Sequence, residues 1–392
     1  MSSHRYSIHT HKRDRHSTTS WGLYDAWFVL FVLLLATATI LTLWQGGLAL
    51  RRQASSASSA PSAGVPFAPQ RTVAFTVARA QHVQLYPFPH QGDAGLMQPA
   101  VDAQGNVWVG EMYANRLARL DSHTGKVTLW EPPHGNDGIM DTTIDAHGMV
   151  WFVEQDADYI GRFDPTTQTF RVFPLGTVSG RPLGPQDLQF DSSGNLWFTA
   201  ATGGRIGQLD PASGKLRFWT TPPPRAGTPS YPFALTVTPN GQVWFGDLTG
   251  GAVGHLDPST GKTTLYRLAN AQAQIFSIAA DTRGRIWFTE IVPGELGMVD
   301  PATNKVTEWN MPSLAGQPSA LYEMTITRNG DIWFVNNGTN TLVRYSPKAA
   351  RATFFQLPVS SSGLYGLVRD ATGTLWFTLD SPSINAVGRM TP

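Results

Sequence analysis

The chain has 392 residues, of which 41% are hydrophobic and 15% are charged, and its formal net charge at pH 7 is +1. This near-neutral balance gives no electrostatic basis for binding nucleic acid, and we expect no nucleic-acid partner. The sequence contains no cysteine, which excludes disulfides, thiol chemistry and zinc bound by cysteine.

The first fifth of the chain predicts a membrane anchor. Residues 1–21 form a polar tail with four Lys or Arg residues, and residues 22–50 are mostly apolar. Because about 20 apolar residues cross a bilayer as a helix, we predict a transmembrane signal-anchor helix over 22–50. A cleavable signal peptide is the alternative, since Ala-Ser-Ser-Ala follows at 54–57. The basic tail favours a single-pass protein of the cell membrane with a cytoplasmic N-terminus. Residues 51–78 are typical of a linker rich in Ala, Ser and Pro.

Residues 79–392 repeat one short phrase seven times, with a tryptophan at its centre. The tryptophans follow one another at intervals of 43 to 47 residues, and six of the seven precede Phe. They are Trp108, Trp151, Trp197, Trp244, Trp287, Trp333 and Trp376. A period of 40 to 50 residues indicates one supersecondary unit that is repeated along the chain.

Each of the first six copies contains four strand-like segments separated by turns, and no copy has a helical run with caps. The second segment carries adjacent bulky apolar residues, as in Trp287-Phe288, and neighbouring residues of a strand point to opposite faces. Both faces of the sheet are therefore buried, which is typical of blades stacked radially. The prediction is an all-β, seven-bladed β-propeller of four-stranded blades over 79–392, which we expect to be monomeric. A linear solenoid, the alternative, needs polar end caps that neither end supplies.

The two ends of the repeat region predict ring closure. The seventh copy ends with a third strand at Ala386 to Arg389 and lacks a fourth. An extra segment, Gln81 to Phe88, precedes the first copy and resembles the fourth strands of other copies. We therefore predict that this N-terminal strand completes the last blade and leaves no unpaired edge at the seam.

Acidic residues recur at two repeat positions, three residues after the tryptophan and ten before it. Both positions fall at the end of the blade whose loops open on the central channel, where binding residues are expected. Hard cations take oxygen ligands, so the pattern predicts a Mg²⁺ or Ca²⁺ site at an acidic channel mouth. The alternative is that these residues cap strands and face channel water. The candidate metal ligands are Glu111, Asp141, Glu154, Asp187, Asp247, Glu290 and Glu323.

Aromatic residues eleven positions before the tryptophan predict an apolar wall for a ligand beside this mouth. Packing between blades is the alternative interpretation. The candidate ligand-binding residues are Phe233, Phe276, Tyr322 and Tyr365 at this position, together with Tyr231 two residues before Phe233. His90 and His134 lie in comparable loops before successive blades, where a histidine is suited to act as general acid or base. An exposed loop histidine is the other interpretation of each.

The phrase Trp151-Phe-Val-Glu154, followed by Ile160-Gly-Arg162, resembles the virginiamycin B lyase (streptogramin B lyase) family. The likeness covers roughly residues 80–392. It implies a seven-bladed propeller that opens cyclic depsipeptides by Mg²⁺-assisted elimination at an ester bond. The family's catalytic histidines match the positions eleven before the tryptophans, where this chain has Met, Gln, Phe and Tyr. The family's acid in the last blade is matched by Asp380.

These observations lead to one main functional hypothesis and two alternatives. The main hypothesis is a membrane-anchored, extracytoplasmic propeller that binds a small or peptidic ligand at the channel mouth. If it is an enzyme, it opens a cyclic ester by metal-assisted C–O elimination, with Asp380 and His90 as further candidates beside His134 as base. The alternatives are a lactonase-like metallohydrolase and a non-catalytic ligand-binding or scaffold propeller.

Overall fold

Seven sheets, one for each tryptophan repeat, make up the part of the chain that the structure describes. The structure is a computed structural model and describes residues 71–89, 94–133, 138–178, 180–360, 362–381 and 383–392. These residues belong to one compact unit, Val65–Pro392. The predicted tail, the transmembrane helix, most of the linker, His90 and His134 lie outside the described residues. Within the described ranges, no helix is long and apolar enough to cross a bilayer.

The strands are numbered in chain order, and the first three precede the first blade. These three are β1 (Arg71–Thr72), β2 (Ala74–Arg79) and β3 (Val83–Pro87). Blades 1 to 3 consist of β4 (Ala100–Val101), β5 (Val107–Glu111), β6 (Arg116–Leu120), β7 (Val127–Trp130); β8 (Ile139–Ile144), β9 (Val150–Glu154), β10 (Tyr159–Asp164), β11 (Thr169–Pro174); and β12 (Pro185–Phe190), β13 (Leu196–Ala200), β14 (Arg205–Leu209), β15 (Leu216–Thr220).

Blades 4 to 7 follow the same order. They consist of β16 (Pro232–Val237), β17 (Val243–Asp247), β18 (Ala252–Asp257), β19 (Lys262–Arg267); β20 (Ile275–Ala280), β21 (Ile286–Glu290), β22 (Glu295–Asp300), β23 (Lys305–Asn310); β24 (Leu321–Ile326), β25 (Ile332–Asn336), β26 (Thr341–Ser346), β27 (Arg351–Gln356); and β28 (Leu364–Arg369), β29 (Leu375–Ser381), β30 (Ile384–Met390). The first strand of each blade contacts the first strands of both neighbouring blades, which closes a ring of seven around one axis.

The predicted closing strand is confirmed. β3 completes blade 7 by pairing antiparallel with β30, from Val83 opposite Met390 to Pro87 opposite Ala386. The last blade thus takes three strands from the C-terminus and one from the N-terminal side, so opening the ring requires breaking a full strand pairing.

Two strands that the repeat did not predict add a parallel fifth strand to neighbouring blades. β1 pairs with β23 of blade 5, and β2 pairs with β27 of blade 6. Between them, Val73 is buried in the core shared by these blades. The N-terminal side of the propeller therefore follows the outer edges of blades 5 and 6 before it enters blade 7, and it covers edges that would otherwise be open.

The recurring phrase is explained by two contacts inside each blade. In five blades the indole N–H of the central tryptophan donates to an Asp six residues earlier, at 2.9 or 3.0 Å. The Phe that follows the tryptophan lies over a glycine of the third strand. A Cβ atom on Gly161, for example, would stand 2.1 Å from Cζ of Phe152. The glycine of the Ile-Gly-Arg phrase is therefore required by the ring opposite it, not by backbone dihedrals.

Candidate functional site

Side chains at the start of the first strands close the channel with an apolar floor. These are the residues eleven before each tryptophan: Met97, Met140, Gln186, Phe233, Phe276, Tyr322 and Tyr365. The ring of Phe276 lies at its centre, 5.0 Å from Phe233, 4.6 Å from Tyr322 and 5.2 Å from Tyr365 between centroids. Four of the five predicted ligand-binding residues are thus in one aromatic cluster contributed by blades 4 to 7. Phe233 and the two tyrosines remain partly accessible, whereas Phe276 is buried.

Tyr231, the fifth predicted ligand-binding residue, lies in the loop before β16. Its backbone N–H donates to Oδ2 of Asp247 at 2.9 Å. Burial is the main cause that raises the pKa of its hydroxyl, which also hydrogen-bonds to Thr202. Tyr231 is therefore held by a loop of its own blade, and no ring contact joins it to the aromatic cluster among the described residues.

One residue further along, five of the seven blades carry a polar side chain, and these side chains join the blades to one another. We call these residues the inner ring: Gln98, Asp141, Asp187, Ser277 and Glu323. Asp141 of blade 2 accepts a hydrogen bond from the N–H of Leu188 in blade 3, at 3.0 Å. Asp187 of blade 3 accepts one from Leu235 in blade 4, at 2.7 Å. Oε1 of Glu323 accepts the hydroxyl of Ser277 in blade 5, at 2.6 Å. The acids of this position therefore take part in the joints between blades, which is the capping role considered as the alternative to metal binding.

The same three acids face one another closely enough to interact. Burial, followed by the charge of Asp187, raises the pKa of Asp141 well above its usual value, and the two carboxyls hydrogen-bond to each other. Burial also raises the pKa of Asp187. For Glu323, burial is again the main cause, and it raises the pKa to about 8. Glu323 therefore keeps its proton near neutral pH, and the inner ring presents less negative charge than its three acids would indicate.

Acids three residues after the tryptophan end the second strands and are buried within their own blades. Glu111 forms an ion pair with Arg116 at 2.5 Å, and Glu154 accepts a hydrogen bond from the hydroxyl of Tyr159. In blade 4 the equivalent carboxylate, that of Asp247, accepts the N–H groups of Thr249 and Gly250 and so orders a loop. The channel is lined by the first strands, so these side chains do not join the inner ring.

Glu290, the seventh predicted metal ligand, has acidic rather than basic neighbours. Glu290, Glu295 and Glu308 each place a carboxylate oxygen within 4.8 Å of the other two. In the described ranges this is the single group of three or more Asp, Glu or His side chains with metal-binding spacing. The prediction did not include Glu295 or Glu308. A signal existed for Glu308, because the equivalent fourth-strand residues in the other six blades are apolar.

The predicted catalytic set is only partly described. Oδ1 of Asp380 accepts the N–H of Leu96 at 2.9 Å, which ties blade 7 to the segment that enters blade 1. His90 and His134 lie outside the described residues, so their roles stay predictions. The Mg²⁺ that the family resemblance implies would need histidine and carboxylate donors at the channel floor. The floor carries thioether, phenyl and phenol groups, which are poor partners for a hard cation, and a single amide oxygen, that of Gln186, so the described residues do not fit that ion.

Two polar residues at the channel were not among the predicted site residues. Gln98 exchanges two hydrogen bonds with the backbone of Leu367, both at 3.1 Å, and so joins blade 1 to blade 7. Gln186 is the one polar amide in the apolar floor, and it is 4% exposed. The signal for Gln186 was its residue type, because the other six residues at its repeat position are Met, Phe or Tyr.

Fold and channel together define a seven-bladed β-propeller whose channel is closed by aromatic and thioether side chains at one end. The sequence profile of the Virginiamycin B lyase family matches residues 81–390. The chain therefore belongs to this family, as the repeated phrase predicted.

Solved structures agree with this assignment. Virginiamycin B lyase from Staphylococcus aureus is 24% identical, with a TM-score of 0.70 over 79% of this chain and 99% of that one. A streptogramin B lyase structure gives 24% identity and 0.69 over 79% and 96%. A catalytically inactive variant of the S. aureus lyase with quinupristin gives 24% and 0.69 over 79% and 99%. At this identity the likeness establishes the fold. No curated protein sequence matches the chain.

Proposed function

We propose that this protein is a ligand-binding propeller that holds a small or peptidic ligand on the aromatic floor of its channel. The observation that carries the proposal is the contiguous cluster of Phe233, Phe276, Tyr322 and Tyr365, three of which keep accessible surface. Aromatic rings offer a large apolar area with little side-chain entropy to lose, and phenol hydroxyls add hydrogen bonds at the edge. The ligand is expected to present an aromatic or aliphatic group to this floor.

The charge state of the inner ring indicates that the ligand presents an uncharged group to the aromatic floor. Asp141 and Glu323 have raised pKa values and favour their protonated forms, and Glu323 does so up to a pH of about 8. A protonated carboxyl donates one hydrogen bond and contributes no field that would attract a cation. The apolar floor and the reduced charge of the inner ring therefore favour a neutral ligand group such as an amide, an ester or an aromatic ring.

Binding without elimination is the function that this residue set supports best. The family resemblance places histidines where this chain has Met, Gln, Phe and Tyr, and those groups do not remove a proton from carbon at neutral pH. Asp380 is engaged with the backbone of Leu96. Elimination and hydrolysis of a cyclic ester are retained as outcomes that the experiment distinguishes.

The test uses quinupristin, the ligand bound to the inactive lyase of S. aureus. Its binding to the full chain in detergent micelles is measured by calorimetry, and the recovered ligand is examined by mass spectrometry. Replacing a central aromatic residue at a binding surface weakens affinity by about 5- to 100-fold. We expect this loss for Tyr365→Ala and an unchanged affinity for Phe75→Ala, which changes an aromatic residue at the outer edge of blade 6.

Each outcome has a defined meaning. Intact quinupristin with an affinity that depends on Tyr365 supports the proposal. A dehydro product indicates elimination, and a product one water heavier indicates a hydrolase of the lactonase type. Equal affinities of the wild type and Tyr365→Ala would contradict binding at the floor. No binding at all would restrict the protein to other ligands or to a scaffold role.

We further propose that residues 22–50 anchor the protein in the cell membrane with the propeller on the extracytoplasmic side. The support is the length of the apolar segment and the basic residues that precede it. The protein should remain in the membrane fraction after alkaline carbonate extraction, and a protease added outside spheroplasts should digest the propeller. Release into the supernatant would instead indicate a cleaved signal peptide.

A further inference from the structure

Blade 5 encloses three carboxylates at positions that bring them together inside the sheet. Glu290 ends β21, Glu295 begins β22 and Glu308 lies on β23, and they are 0%, 2% and 4% exposed. One oxygen from each lies within 4.8 Å of those of the other two. Oxygens bound to one Ca²⁺ at 2.3–2.6 Å are at most about 5 Å apart. The three side chains therefore have the spacing of ligands to a single cation.

Glu290 provides the second observation, because its carboxylate lacks a donor. Both oxygens are fully buried, and neither accepts a hydrogen bond from the described part of the chain. Burying a carboxylate in this way is strongly unfavourable, and such groups are rare in folded proteins. A proton shared with Glu308 would satisfy one oxygen of Glu290 and leave the other without a partner. A cation can contact both.

Equivalent acids in other blades have a donor supplied by the blade itself. Glu111 in blade 1 has the guanidinium of Arg116, and Glu154 in blade 2 has the hydroxyl of Tyr159. The corresponding Asp of blade 4 has backbone N–H groups of its own loop. In blade 5 the third-strand residue that matches Arg116 and Tyr159 is an acid, Glu295. The repeat thus keeps the buried carboxylate and replaces its donor with more oxygen ligands.

Glu308 departs from the repeat in the same blade. It lies opposite Gly297 on the third strand. The residues at this register in the other six blades are all apolar: Leu85, Leu129, Val172, Phe218, Leu265 and Phe354. Glu308 itself is buried, and a buried acid at an otherwise apolar position is unfavourable unless something in the blade binds it. Two independent departures, at Glu295 and Glu308, therefore converge on the carboxylate of Glu290, which has no N–H or hydroxyl donor among the described residues.

We propose that Glu290, Glu295 and Glu308 form a Ca²⁺ site inside blade 5. A site this dry favours Ca²⁺ over Mg²⁺, because Mg²⁺ gives up its water reluctantly and prefers to keep several molecules. A divalent ion balances two carboxylates, and the third can keep its proton, so no net charge is buried. The ion would tie the second, third and fourth strands of the blade together. Since β1 pairs with β23 beside Glu308, it would also support the attachment of the N-terminal strands.

This site is separate from the ligand-binding floor and does not rest on the proposed function. The floor and the inner ring belong to the first strands, whereas the three glutamates belong to the second, third and fourth strands of one blade. Loss of one function by mutation should leave the other intact, so the two proposals can fail independently.

The experiment measures Ca²⁺ binding to the full chain in detergent after treatment with a chelator. Calorimetry should give one Ca²⁺ per chain at pH 7.5 and at least about tenfold weaker binding of Mg²⁺. Saturating Ca²⁺ should raise the melting temperature by about 5 °C. The variant Glu308→Leu introduces the kind of residue that the other blades carry, so it should fold at least as well as the wild type in chelator. It should bind no Ca²⁺ and show no Ca²⁺-dependent rise in melting temperature.

Asp141→Asn is the matched control, because it removes an acid from the inner ring and should retain full Ca²⁺ binding. Three results would overturn the proposal: no binding to the wild type up to about 10 mM Ca²⁺, wild-type affinity in Glu308→Leu, or loss of binding in Asp141→Asn. The first would indicate carboxyls that share protons, and the other two would place any bound ion outside blade 5.

Discussion

Replacing Glu323 by Gln should remove a large part of the dependence of stability on pH. Burial raises the pKa of this side chain from its ordinary value of 4.5 to about 8. Below pH 4.5 it is protonated in both the folded and the unfolded protein, and its titration costs no stability. Between pH 4.5 and 8 the unfolded state loses the proton while the folded state keeps it, so the free energy of unfolding falls as pH rises.

The size of this effect follows from the shift. The pKa rises by about 3.5, and each unit corresponds to 1.36 kcal/mol, so the loss by pH 9 is up to about 5 kcal/mol. The amide introduced by Glu323→Gln has no proton to lose in this range, and its oxygen can still accept the hydroxyl of Ser277, which lies 2.6 Å from Oε1 of the glutamate. The variant should therefore match the wild type near pH 4.5 and exceed it increasingly at higher pH.

The assay is a series of thermal and urea unfolding curves of the full chain in detergent at pH 4.5, 6.5 and 9. At pH 9 the variant should melt about 10 °C above the wild type, given how melting temperature scales with stability in a domain of this size. The control is Glu131→Gln, which changes an exposed glutamate in the loop between blades 1 and 2. If the free energies of unfolding of Glu323→Gln and the wild type change equally with pH across this range, the reasoning is refuted. That result would show that Glu323 is ionised in the folded protein.

Two further predictions concern the fold. Gly161→Ala should destabilise the protein by about 1–3 kcal/mol, because the new methyl group would stand 2.1 Å from the ring of Phe152. The second change Phe152→Leu should recover part of this loss. Melting curves of the single and double variants check both expectations. A chain that lacks residues 71–79, and with them β1 and β2, should keep cooperative unfolding at a lower melting temperature, whereas removal of β3 as well should abolish it. Equal stability of the two shortened chains would mean that β3 does not close the ring.

Much of the fold could be predicted because the same residue pattern occurs seven times, and each copy imposes the same packing requirement. Adjacent Trp and Phe residues on one strand require cover on both faces, and only sheets packed against sheets provide it. The missing fourth strand of the last copy and the extra strand at Gln81 to Phe88 made closure predictable as well. The parallel strands β1 and β2 were not predicted, because each forms once and has no repeat partner in the sequence.

Less of the site could be predicted, for a reason that concerns side-chain direction. Sequence spacing placed Glu154 and Asp141 at the same end of a blade, and the structure agrees. Spacing did not reveal that the second strand lies inside the blade, between its first and third strands. Glu154 therefore hydrogen-bonds to Tyr159 of its own blade, whereas Asp141 hydrogen-bonds to Leu188 of the next blade. The predicted metal site therefore combined acids of the first strands with acids that end the second strands, although the sheet places the two groups in different surroundings.

The sequence by itself determined the number of blades, their strand order and the family, because periodicity and local turn chemistry are properties of the chain. Tertiary structure alone decided which acids share an environment. Asp141 approaches Asp187 across blades, and Glu308 approaches Glu290 within a blade, although 46 and 18 residues separate these pairs in the sequence. Electrostatic coupling depends on distance through space and on burial, and neither is written in the order of residues.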